Sequence, residues 1–398
     1  MKIPISQPYF GEEERRLVLE PLESGWVVQG PKVAEFERAF AAYIGAPFAA
    51  ATTSCTTALH LAMVALGVGP GDEVIIPAFT WVATANVVEA QGARPVFVDV
   101  ELGTFNIDVA QIETAITGRT KVIMPVSLFG ICAPMAPTLA IARKHGVKVV
   151  EDAACAVGAW RDGHHAGTLG DIGCFSFHPR KAITTGEGGM LVTHDERIAQ
   201  LVRSLRDHGA SKSDLARHLG PRSHVLPDFN VVGYNYRMTD LQGALGVAQM
   251  GRLEWILQQR TRRAQRYDAA LADLRWLRLP VVPQGCRHGY QAYTCIYQPE
   301  PPTLSNVAEY HARRNNLMDR LEAAGIATRP GTHTVHLLGY YREKYRFEPG
   351  DFPNAYLADQ LTLTLPLYAQ MTDAEQDYVI DHLRHFGEPA HESGAIKD

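Results

Sequence analysis

The chain has 398 residues, 46% of them hydrophobic and 20% charged, with a formal net charge of -5. That length can bury a large core and points to two domains, while the mild acidity gives no electrostatic footprint for nucleic acid or an anionic membrane. No continuous apolar run is long enough to span a bilayer, and Lys2 and Pro4 interrupt the stretch a secretory signal needs, so a soluble, cytoplasmic protein is expected.

In chain order, Gly25 to Pro31 reads as a turn feeding a helix over 33–44, with Phe36, Phe40 and Tyr43 on one face. Strands and helices then alternate. Strands are expected at 48–52, 73–76, 95–98, 121–126 and 147–150, the last closed by Glu151-Asp152. Helices are expected at 56–66, 81–91 and 134–145, the first stopped by Gly67 and the second by Gly92. Units of this length predict a mostly parallel α/β sheet covered on both faces. A further strand at 189–193 and a helix at about 195–207 complete it. Residues 211–230, rich in Gly, Pro, Ser, His and Arg, read as a mobile loop. A long helix capped by Thr239 or Asp240 runs toward Arg266, and the remainder to about 385 mixes strands and amphipathic helices. The expected partition is a large domain over 1–250, a smaller C-terminal α+β domain over 251–387, and a frayed polar tail over 388–398.

The chemistry centres on the run from Gly173 to Gly189, which contains Phe-Ser-Phe-His-Pro-Arg-Lys181. An aromatic strand end delivers Lys181 into a turn where Thr and Gly let the backbone pack closely. Desolvation there favours a free amine, the nucleophile for Schiff-base formation with a carbonyl. Asp152, at the end of an apolar strand, needs a positive partner, and a protonated pyridine nitrogen would serve. The run Thr53-Ser54-Cys55-Thr56-Thr57, between a strand and a helix start, offers backbone N–H groups and a helix dipole to a phosphate. Trp81 is an aromatic placed to stack on a flat ring. Each feature alone has an ordinary structural reading, since Ser and Thr cap many helices and Asp ends many strands. Together they describe one cofactor, pyridoxal 5'-phosphate (PLP). The six cysteines contain no C-x-x-C pair and the histidines do not fall at ligand spacing, so neither a disulfide framework nor a metal site is expected.

These residues also resemble a family. Ser54-Cys-Thr-Thr-Ala-Leu-His60, Glu151-Asp-Ala-Ala154, Phe175-Ser-Phe-His-Pro179 with Lys181, Thr184-Thr-Gly-Glu-Gly-Gly189 and Gly233-Tyr-Asn-Tyr-Arg-Met238 are similar to the motifs of the DegT/DnrJ/EryC1/StrS sugar aminotransferases. The resemblance implies the PLP-dependent transferase fold of type I. It implies that Lys181 is the Schiff-base lysine, Asp152 the partner of the pyridine nitrogen and Trp81 the stacking aromatic. Cys55, Thr56 and Ser176 match phosphate contacts, and Asn235 matches an asparagine lent by the neighbouring subunit of a homodimer. Three positions depart from the family pattern: Cys155 stands where Gln or His flanks the cofactor's phenolic oxygen, Ser127 where His is frequent, and Cys55 where Gly is frequent.

The implied reaction transfers an amino group from L-glutamate to a nucleotide-linked keto sugar, with Lys181 moving the proton and Asp152 keeping the ring protonated. Arg237, Arg329, His333 and His336 are candidates for the donor carboxylate or nucleotide phosphates, and His178 is read as structural. The Thr-Thr-Gly-Glu-Gly-Gly form inclines toward a 4-keto-6-deoxy sugar. Alternatives are a cyclitol ketone as acceptor, or a PLP-binding sensor without catalysis.

Overall fold

The computed structural model describes residues 1–221 and 224–387; the expected frayed tail, 388–398, lies outside the described residues. Seven strands form the central sheet: β1 (Phe48–Thr52), β2 (Glu73–Pro77), β3 (Arg94–Val98), β4 (Thr120–Ile123), β5 (Lys148–Asp152), β6 (Ile172–Ser176) and β7 (Gly189–Thr193). Their order is β1-β7-β6-β5-β4-β2-β3. All pairs from β6 to β3 are parallel, whereas β7 runs antiparallel to both β6 and β1. A parallel sheet buried on both faces accounts for apolar runs such as Val149-Val150, which show no in-out alternation.

Helix Asp240–Leu271, 32 residues long, is the main brace. Thr239 caps it by accepting the Gln242 N–H. The buried Asp240 carboxylate in turn accepts N–H bonds from Gly30, Lys32 and Val33 at the start of helix Pro31–Ile44. One side chain thus joins the starts of two helices. Close packing of the pair explains Gly243, where a Cβ would come within 2.6 Å of Val33 N.

Beyond this helix lies a second, antiparallel sheet of β8 (Leu277–Arg278), β9 (Tyr293–Tyr297) and β10 (Thr362–Leu365), flanked by helices Val307–Ala323 and Asp373–Gly387. The partition expected after residue 250 falls inside helix Asp240–Leu271. Two sequence expectations change. The 211–230 segment contains helix Asp214–Leu219, capped by Ser213, and a helix not anticipated, Glu12–Ser24, precedes the first expected one. Short strand His333–Thr334 pairs with Phe79–Thr80, bringing the C-terminal part of the chain against the residue before Trp81.

Candidate active site

In a parallel sheet the carboxyl ends of the strands face the ligand crevice, and β5 ends there in two successive carboxylates that point to opposite faces. Glu151 accepts three N–H bonds, from Gly167, Leu169 and Gly170, each at 2.7 Å. Among the described residues Asp152, 4% exposed, receives only the Thr84 hydroxyl at 2.8 Å and the Ala154 N–H at 3.2 Å. A carboxylate has about four acceptor positions, so Asp152 keeps capacity for a further donor. Burial pushes its carboxyl above the usual range, and the Thr84 and Ala154 bonds and the Lys181 charge act against that. Thr84, which sequence reading missed, lies in helix Ala83–Glu89 and also bonds to Thr80.

Lys181 follows β6 in a tight turn whose first bond runs from its own N–H to the His178 carbonyl at 2.8 Å. Its carbonyl accepts from Arg260, a fully buried arginine that also bridges the carbonyls of Tyr290 and Gln291. The Lys181 Nζ sits 3.1 Å from the Cys155 sulfur, so the cysteine that departs from the family pattern contacts the amine directly. Burial pushes His178 down, and its Nδ1 accepts the Arg180 N–H at 3.2 Å.

The Thr53–Thr57 run is a helix start. Ser54 caps helix Cys55–Ala65 by accepting the Thr57 N–H, while the backbone N–H groups of Cys55 and Thr56 carry no bond among the described residues. Strand β7 begins directly against this turn: a Cβ on Gly189 would lie 2.3 Å from Ser54 C and 2.6 Å from Cys55 N. Burial and the Asp152 charge push the Cys55 thiol well up, so it is present as the neutral thiol. Ser176 closes β6, with its hydroxyl 3.4 Å from the His178 N–H.

The remaining candidates separate. Trp81, 60% exposed, faces His333 with ring centroids 5.7 Å apart. Arg329 is pushed below the usual guanidinium range by burial and the charge of Arg180, and its own charge adds to the burial that lowers His178. Asn235 is exposed and makes no side-chain bond among the described residues, although Tyr236 beside it accepts the Thr53 N–H. Arg237 is held by Asp207 at 2.6 Å. His336 is fully buried, bonded to Thr334 and packed against Phe97, Phe347 and Phe352. This corrects the expectation for His336: the ring is core, because the short helix Val335–Leu337 packs it among aromatic side chains.

A buried carboxylate with spare acceptor capacity, an amine presented in the crevice, and free N–H groups at a helix start fit the ring nitrogen, carbonyl and phosphate of PLP. Fold and site together define a PLP-dependent aminotransferase of fold type I. The model of the DegT/DnrJ/EryC1/StrS aminotransferase family matches residues 8–384, and the chain belongs to that family. Among its relatives, the Bacillus subtilis spore coat polysaccharide biosynthesis protein SpsC is 40% identical over 383 residues, 96% of each chain. GDP-perosamine synthase of Caulobacter vibrioides is 40% identical over 381 residues, 95% of this chain and 96% of its own. The PLP form of Spr1654 from Streptococcus pneumoniae superposes with a TM-score of 0.88 at 31% identity, over 98% of this chain and 99% of its own. Membership of this enzyme family sets aside the non-catalytic sensor.

Proposed function

We propose that the enzyme moves the amino group of L-glutamate onto a nucleotide-linked keto sugar, of the 4-keto-6-deoxy kind, as a cytoplasmic homodimer with shared active sites. The observation that carries this reading is the unsaturated Asp152 carboxylate in one crevice with the Lys181 amine. The sugar assignment is supported by the 40% identity to GDP-perosamine synthase and to SpsC.

When bound, the cofactor supplies a carbonyl that captures the donor amine and a ring that accepts electrons. Asp152 holds a proton on the ring nitrogen, and its low-dielectric surroundings make that pairing strong. With the cofactor in place, the Lys181 Nζ amine would serve as the base and acid that moves the proton of the donor's α-carbon. Cys155 limits where that amine rests. The N–H groups of Cys55 and Thr56 and the Ser176 hydroxyl hold the phosphate. Trp81 covers the ring. Exposed Leu226, Phe229 and Val232, on the segment leading to exposed Asn235, support a second copy docking there and lending Asn235 to its neighbour's phosphate.

The test is a two-stage assay of the purified holoenzyme. L-glutamate should shift the cofactor absorbance and release 2-oxoglutarate; a nucleotide-linked 4-keto-6-deoxy sugar should then reverse the shift and gain the mass of an amine in place of the ketone. Turnover of a cyclitol ketone with no turnover of any nucleotide sugar would replace the acceptor assignment.

A further inference from the structure

Cys155 sits on the turn that follows β5, and among the described residues its sulfur is the only side-chain partner of the Lys181 amine, at 3.1 Å. Backbone bonds hold both ends of that contact. The turn at 153–156 is closed by the Ala153 N–H on the Cys174 carbonyl and the Ala156 N–H on the Ala153 carbonyl, each at 2.9 Å. The Lys181 turn is closed by its own N–H on the His178 carbonyl at 2.8 Å, and Arg260 donates to its carbonyl. A thiol and a primary amine are thus kept touching, and both are half-buried, so a small solute in the crevice can reach them.

The other five cysteines are placed differently. Burial pushes the thiols of Cys55, Cys174 and Cys295 well up, takes Cys132 up to about 12 and raises Cys286. A thiolate attacks a peroxide and a neutral thiol does so poorly, so these five react slowly. Among the described residues Cys155 alone has an amine against its sulfur, a base that can take the thiol proton as the sulfur reacts. The sulfenic acid so formed is captured by a thiol, by a nitrogen or by more peroxide. Here the nitrogen is in contact, on a flexible four-carbon stem. Cys55, whose thiol is raised by burial and by neighbouring charges that include Cys155, stays protonated and attacks poorly.

We infer that Cys155 and Lys181 are a redox-sensitive pair, which hydrogen peroxide joins through a covalent Sγ–Nζ sulfenamide whenever the cofactor does not engage the amine. In the first step the sulfur attacks peroxide, the O–O bond breaks, and sulfenic acid and water form. In the second the Nζ lone pair attacks the sulfur, the S–O bond breaks, and the hydroxyl leaves with an amine proton as water. The sulfur is oxidised, the peroxide is reduced, and the chain loses two hydrogens. Two equivalents of an external thiol reverse the link, giving back thiol and amine and leaving a disulfide. The link blocks the amine that must capture the PLP carbonyl, and it spares the sulfur from sulfinic oxidation, which thiols do not undo. The inference needs only these two side chains and is independent of the donor and acceptor proposed above.

The experiment treats the full-length apoprotein and the PLP-loaded enzyme with hydrogen peroxide and follows intact mass and peptide maps. Wild-type apoprotein should lose about 2 Da, with the segments carrying positions 155 and 181 joined, and dithiothreitol should restore both the mass and PLP binding, read by absorbance. PLP at about ten times its Kd leaves about a tenth of the amine free, so the link should form about tenfold more slowly. In Lys181→Ala no amine captures the sulfenic acid, and Cys155 should gain about 32 Da as the sulfinic acid. A link that maps to Cys155 and Cys55, oxygen gained at Cys155 of the wild-type apoprotein without a link, or an unmodified Cys155 would each overturn the pair. Linking at the same rate with and without PLP would do so too. The wild-type map decides by itself, so a variant that fails to fold leaves the test intact.

Discussion

Replacing Thr84 by valine tests whether Asp152 does the electrostatic work assigned to it. The side chains are nearly the same shape, so the change removes one hydroxyl and opens little space. That hydroxyl lies 2.8 Å from Asp152 Oδ2, and the other carboxylate oxygen keeps only the Ala154 N–H at 3.2 Å. A hydrogen bond to a charged group contributes about 1.5–3 kcal/mol. Losing it pushes the Asp152 carboxyl further up, and at about 1.4 kcal/mol per tenfold it costs about 10- to 100-fold in an equilibrium that needs the ionised form. Burial already pushes this carboxyl up, so the further rise withdraws negative charge where the ring nitrogen needs it. PLP should then bind about 10- to 100-fold more weakly to apoprotein, as followed by absorbance titration, and the L-glutamate half-reaction should slow. Thr84→Ser, which keeps the hydroxyl, should recover most of the affinity. Thr80→Val, which removes the next hydroxyl in the chain, should have the smaller effect. PLP affinity within about twofold of wild type in Thr84→Val would refute the assignment.

Gly189→Ala places a methyl group against the backbone of Ser54 and Cys55, so the helix start must move; PLP occupancy after purification should drop and Tm should fall, and full occupancy would count against the phosphate turn. His336→Phe bears on acid stability. Burial lowers His336 to about 4, whereas an unfolded histidine takes its proton near about 6.5. The unfolded chain therefore binds the proton first, and stability is lost as pH falls from about 6.5 to 4, by about 2–3 kcal/mol. The phenylalanine variant should unfold at lower pH with unchanged kcat, and an unshifted acid transition would place the ring outside the core. Mixing equal amounts of Lys181→Ala and Asn235→Ala subunits should restore about a quarter of wild-type activity if each site draws on two copies; no recovery after subunit exchange would show that Asn235 serves its own chain.

Much of the site was legible because the features that announce it are local. Strand β7 falls on 189–193, as its apolar run between glycines and polar residues indicated, and Thr239 caps the long helix as its position before the helical pattern required. Lys181, Asp152 and the Thr53–Thr57 turn were recognisable because strand ends and helix starts are written in neighbouring residues. The helix Asp214–Leu219 went unseen because six residues among Gly, Ser and Arg give too short a period to read. His336 was misjudged, and the ion pair of Arg237 went unseen, for a different reason. The partner of Arg237, Asp207, and the aromatic neighbours of His336 come from distant parts of the chain, and no local pattern records them.

By itself the sequence determined the alternation of strands and helices, the carboxylate at a strand end, the lysine in the turn after another, and the Ser54-capped helix start, because each follows from the preferences of a few adjacent residues. Tertiary structure alone decided that Asp152 leans on Thr84, that Cys155 touches the Lys181 amine, and that Arg180 and Arg329 line one small cavity. Those facts depend on which side chains are brought together across the crevice once the two sheets pack, and only the folded chain sets those distances.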